Sequence, residues 1–210
     1  MKYLSALDWS GDGGDPAKTP GLPPLLVIVT VTLDVDDAKP RLHNALSRAR
    51  RERNLPETHC FHHVSSKPAV TQAFFRALQP LPICVTASLI DKHQWDRTYI
   101  RSTTGNDRVI SEIVKHVCNL PATTVAGQQL IVDLESQDTK LLDALRKSIR
   151  HAMRLEGRRS FADIRACPDR RRTLGDVIQV ADMIAGQLRK HRAIDGPHLP
   201  LIKDRIVILD

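Results

Sequence analysis

Apolar runs of strand length alternate with segments of helical period along this chain, and that alternation restricts it to an α/β architecture. The tightest run, Leu25–Leu33, follows Pro23-Pro24, is largely β-branched and halts at Asp34. It falls far short of the roughly 20 residues that a membrane span needs. Its β-branching favours a pleated backbone, so it reads as a buried strand. Residues 2–9 read as an earlier strand, closed by turn residues from Ser10 to Pro16, and the two are expected to pair as an antiparallel hairpin. Further strands are predicted at Thr58–Val64, Ile83–Ile90 and Gln129–Leu134. Helical periodicity marks Asp36–Arg53, Pro68–Leu78, residues 107–118, Asp138–Leu155 and residues 174–190, the last with Thr173 and Asp176 at capping-box spacing. This order predicts an antiparallel start, later parallel crossovers and helices on both faces of a mixed sheet, within one domain spanning residues 1–210. Leu199–Leu209 is expected to add an edge strand.

Composition narrows the setting. At 41% hydrophobic and 26% charged residues, the chain is an ordinary globule and not a disordered one. Cys60, Cys84, Cys118 and Cys167 are widely spaced with no C-x-x-C pair, which fits reduced thiols better than a disulfide framework or a zinc ribbon. Asp8 precedes any long apolar region, so the layout of a secretory signal is missing and a cytoplasmic location is expected, with no membrane partner. The 31 Lys and Arg against 24 Asp and Glu leave a charge of +7, rich in arginine. Arg146, Arg150 and Arg154 form an i, i+4 row, and such a row either binds a polyanion such as RNA or DNA or is a solvated basic face.

Three apolar runs end in an acid, at Asp8, Asp91 and Asp133. Parallel strands bring such residues to one edge of the sheet, where α/β proteins bind ligands. Each acid alone also reads as an ordinary turn or cap residue. Asp182 is more constrained, because Ile178 and Ala185 place it on the seam that its helix turns to the core. A carboxylate buried there needs an arginine or lysine partner, a raised pKa, or a cation shared with other acids. An all-oxygen cluster suits Mg²⁺ or Mn²⁺ and phosphodiester hydrolysis. His59-Cys60-Phe61-His62-His63 is rich in metal-capable groups, but strand alternation would split them between two faces and spoil a tetrahedral zinc site.

These residues, taken in order, resemble the bacterial domain-of-unknown-function 3800 family. The matching segments are Asp8-Trp9-Ser10-Gly11, Glu57–His63, Ile90-Asp91-Lys92, Val132-Asp133 and Ile178-Gln179-Val180-Ala181-Asp182-Met183-Ile184-Ala185-Gly186, the last being the most specific. The resemblance implies a ribonuclease H-like three-layer fold with a mixed five-stranded sheet. It also implies a nuclease that uses divalent metal, with Asp8, Asp91, Asp133 and Asp182 as catalytic acids. Asp8 would be the ligand on the first strand, Asp182 that on the last helix, and Asp133 or Asp91 that on a neighbouring strand. Ser10, Lys92 and Gln179 accompany these acids in the motifs, and Glu135 shares the face of Asp133; all four are assigned auxiliary roles. Trp9 stands where the family carries Glu. That exchange either impairs metal binding or, because alternation turns Trp9 away from Asp8, concerns packing alone. A non-catalytic nucleic-acid or protein-binding module with the same fold is the competing expectation, and a small-molecule phosphohydrolase is a third.

Overall fold

A computed structural model describes residues 2–15, 17, 24–125, 128–134, 139–167, 173–192 and 196–209. The strands are β1 (Tyr3–Ser10), β2 (Leu25–Asp34), β3 (Cys84–Asp91), β4 (Gln129–Val132), β5 (Asp163–Ala166) and β6 (Ile206–Leu209). The helices are α1 (Ala38–Glu52), α2 (Pro68–Leu78), α3 (Arg97–Ser102), α4 (Gly105–Asn119), α5 (Ala122–Val125), α6 (Thr139–Leu155) and α7 (Thr173–His191). The strands form one mixed sheet in the order β5-β4-β1-β2-β3-β6. β1 and β2 make the expected antiparallel hairpin, from Tyr3 opposite Asp34 to Ser10 opposite Val27. β2 is also antiparallel to β3, while β4, β5 and β6 each join by parallel pairing.

Helices cover both faces, as the alternation required. On one face Leu4, Ala6, Val27, Val29, Val85 and Ile131 pack under α1, α2 and α7. On the other, Leu7, Leu26, Ile28, Leu130 and Val132 pack under α4 and α6. β2 is buried on both sides, which explains its unbroken apolar sequence. α6 buries Leu142, Leu145, Ile149 and Met153 at helical spacing. α4 begins with a full capping box between Thr104 and Asp107. Among the described residues no helix is long and apolar enough to cross a membrane.

Among the described residues the sheet has six strands where five were expected. Residues 58–64 do not form a strand, whereas Asp163–Ala166, too short to stand out, does. Residues 199–205 turn as a 3-10 helix, and the edge strand at the end is confined to Ile206–Leu209, parallel to β3. Asp176 is 3% exposed and its carboxylate meets His43 on α1 at 2.7 Å and Arg50 at 3.4 Å, so it ties two helices together. Its expected capping partner, Thr173, has its side chain outside the described set.

Candidate functional site

β1 and β4 bring Asp8 and Asp133 side by side. Leu7 and Val132 are register partners, and the Asp133 N–H continues the ladder by donating to the Leu7 carbonyl at 2.9 Å. The next pair along is Asp8 and Asp133, with Cα atoms about 5 Å apart across adjacent strands. Both alternate with residues of the α7-side core, Ala6 and Ile131, so both carboxylates stand on that face at the carboxyl end of the sheet. Asp8 is 6% exposed, and its Oδ1 accepts the Trp9 N–H at 2.7 Å. Trp9 points the other way and packs against the core under α4 and α6.

Asp91 ends at the same edge but does not join the pair. It lies opposite Leu25, four residues beyond Val29, which is the partner of Asp8. Two strand spacings and four residues separate the two acids by about 16 Å, more than side-chain rotation spans. The Asp91 carboxylate instead accepts the His93 N–H at 2.9 Å. Lys92, only 1% exposed, sends its ammonium to Asp12 at 3.1 Å. Burial acts to raise the Asp12 pKa, but the Gly14 N–H and the Lys92 charge outweigh it and hold the carboxyl below its ordinary value. Lys92 thus fastens the turn after β1, where Gly11 has φ +115° and a Cβ would meet the Leu25 carbonyl at 2.7 Å.

The segment expected as a strand at 58–64 is held by side chains. Arg50 donates to the His59 carbonyl at 2.8 Å; Gln179 accepts the Phe61 N–H at 2.8 Å; Asp182 accepts the His63 N–H at 2.8 Å. The backbone partners come from α1 and α7 instead of a neighbouring strand, and the side chains of His62 and His63 both meet α7. Phe61 fills the core against Phe74, at 4.9 Å between ring centres. Asp182, 15% exposed, also has His62 Nε2 at 3.6 Å from its Oδ1. Gly186 leaves room for the His63 ring, since a Cβ there would sit 2.0 Å from His63 Cγ. The motif from Ile178 to Gly186 is therefore a rail on which the histidine segment docks. Among the described residues, no three His, Cys, Asp or Glu side chains form a group able to hold a metal ion.

Ser10 follows Asp8 on the same face and lines a cavity of about 630 Å³ with His63, Arg189, Lys190, Arg192 and His198. Sequence reasoning passed over this basic group, although Arg189-Lys190-His191-Arg192 is a contiguous run that signals it. The row it chose instead lies across the sheet, because α6 packs on the opposite face from α7. There Arg146 donates to the Ile164 carbonyl at 2.6 Å and to Asp143 at 3.1 Å. Arg150 and Arg154 are exposed and border a recess of about 420 Å³ with Arg158. Glu135 lies outside the described residues. No protein-family model matches this chain, nor does any curated protein.

Proposed function

We propose that this chain is a divalent-metal-dependent nuclease-like hydrolase of ribonuclease H-like type, acting on a nucleic-acid phosphodiester. The observation that carries the reading is the pairing of Asp8 with Asp133 at the carboxyl ends of two adjacent parallel strands. Two carboxylates held about 5 Å apart at Cα repel each other unless a basic side chain, a metal ion or a proton intervenes. Mg²⁺ is commonly held by one or two protein carboxylates, with water and substrate phosphate completing its shell, so the donor set fits Mg²⁺ or Mn²⁺. Bound there, the ion would supply a Lewis acid and a hydroxide source.

The chain's own contribution is positional. β1 and β4 fix the two acids from the sheet's interior, while Gln179 and Asp182 hold the backbone of Phe61 and His63. Arg189, Lys190 and Arg192 on the same face attract a phosphate backbone. The resemblance to the domain-of-unknown-function 3800 family supports the reading through the motif ending at Gly186. A cytoplasmic setting belongs to the same proposal and is supported by four free thiols. The engagement of Asp182 by His63 and His62 favours a second reading, a nucleic-acid-binding module that keeps the fold without cleaving.

Labelled single-stranded and duplex RNA and DNA, incubated with Mg²⁺ or Mn²⁺, decide between them. Cleavage is expected to require the cation and to fall by roughly 100-fold or more in Asp8→Asn and in Asp133→Asn, each with wild-type thermal unfolding. Salt-sensitive binding without cleavage under either ion would overturn the hydrolase and leave the binding module.

A further inference from the structure

The cavity beside Ser10 has a chemistry of its own. Its walls come from the carboxyl end of β1, the histidine segment, the start of α2, the last turns of α7 and residues 197–198. Arg189, Lys190 and Arg192 supply fixed positive charge, and His63, His191 and His198 add three imidazoles. None of the described lining residues is Asp or Glu. The carboxylate whose charge is felt alongside Arg189, Asp12, is already paired with Lys92 at 3.1 Å. Asp182 is engaged by the His63 N–H.

Several polar atoms in this wall are buried and have no hydrogen-bond partner among the described residues: Arg189 Nε, His191 Nε2, Ser66 Oγ and Gln187 Oε1. Gln187 is itself 4% exposed. A buried polar atom left unpaired is costly, and such atoms in native proteins usually answer to a water, an ion or a ligand. Basic residues in the last turn of a helix also complement its dipole. That accounts for their charge, but not for a half-open recess on which three cations and several unpaired polar atoms converge.

The volume is within the roughly 300–1,000 Å³ of small-molecule sites and exceeds what one oxyanion fills. Val64, Pro68 and Pro197 give it an apolar side, with Val64 strongly exposed. Guanidinium, ammonium and hydroxyl donors around one space match a phosphate dianion, and the apolar side matches an organic group attached to it. We propose that the cavity is a phosphate-monoester site, taking the terminal phosphate of a nucleotide or of a nucleic-acid end. It shares Arg189, Lys190 and Arg192 with the hydrolase reading but needs neither Asp8 nor Asp133 and no divalent cation, so binding there is measured apart from cleavage.

Calorimetric titration in EDTA at low salt, with inorganic phosphate, adenosine 5′-monophosphate and matched oligonucleotides bearing a 5′-phosphate or a 5′-hydroxyl, tests it. The nucleotide is expected to bind, with phosphate competing. Arg189→Gln with Arg192→Gln should weaken binding by roughly tenfold or more, and Lys190→Gln, at an exposed position, gives a milder loss if the double variant does not fold. Lys140→Gln with Lys147→Gln removes the same charge from exposed positions of α6 on the opposite face and should leave binding unchanged. Preference for the 5′-phosphorylated oligonucleotide over both its hydroxyl twin and the mononucleotide identifies a chain end as ligand; equal affinity for the mononucleotide identifies a free nucleotide. Absence of binding by the wild-type protein, or equal weakening by both double variants, would overturn the proposal.

Discussion

His116 shows how a single side chain can make stability depend on pH. It is 1% exposed on α4, with Nε2 at 2.9 Å from Thr30 Oγ1 and Nδ1 at 2.8 Å from Ser88 Oγ, so one ring stitches α4 to β2 and β3. Burial pushes its pKa down to about 3. The folded protein therefore holds it neutral, while the unfolded chain takes up a proton at the ordinary histidine value. Its stabilising contribution is complete above that unfolded value and is lost as pH falls toward the folded one. Between pH 7 and pH 5 the expected loss is about 2 kcal/mol from this residue, and burial lowers His59, His63 and His198 in the same direction. Urea unfolding of wild type and His116→Gln at both pH values checks this; an equally steep pH dependence in the variant would exclude the assignment. Asp182 was legible as a carboxylate on a buried seam, but its partner was not. The group it accepts from is a backbone N–H, which no side-chain identity in the sequence advertises.

At the level of elements, α7 does more than cover the sheet. Gln179, Asp182 and Gly186 lie on the side that receives residues 61–63, while Val177, Val180, Ala181 and Ile184 pack in the core. Alanine at 186 would improve helix propensity by about 1 kcal/mol. The methyl would lie 2.0–2.5 Å from the Cγ, Cδ2 and Cβ atoms of His63, too close for a rotamer change alone to relieve. Gly186→Ala is expected to displace the segment and lower stability by roughly 1–3 kcal/mol, with faster amide exchange at Phe61 and His63. Unchanged exchange at those two amides would show that α7 does not hold them. The long periodic elements were legible because their patterns repeat: α2 was placed at Pro68–Leu78, and β2 to within a residue. β5 escaped because Asp163-Ile164-Arg165-Ala166 offers two alternations and no more. Thr58–Val64 misled because strand-like alternation reports two faces, and not what satisfies the backbone.

Across the whole molecule, the sheet separates two basic surfaces. Arg150 and Arg154 stand on the α6 side, and the acids with the Arg189 cavity on the α7 side. Sequence spacing found the first surface, since an i, i+4 row is a one-dimensional pattern; the face it occupies depends on which helix crosses which side. Arg150→Gln with Arg154→Gln should make the salt dependence of nucleic-acid binding shallower by no more than about two units. The cleavage rate at saturating substrate should not change. A collapse of that rate would put the reacting phosphate on the α6 side and contradict the role given to Asp8 and Asp133. The rail also has a consequence in time. His63 waits for Asp182, 119 positions later in the chain. As the protein is synthesised, residues 58–64 emerge long before α7 exists to receive them, and β4 must join β1 before Asp133 meets Asp8. The acid pair and the histidine segment thus come together only late in synthesis, so a nascent chain carries the parts of the site well before it carries the site.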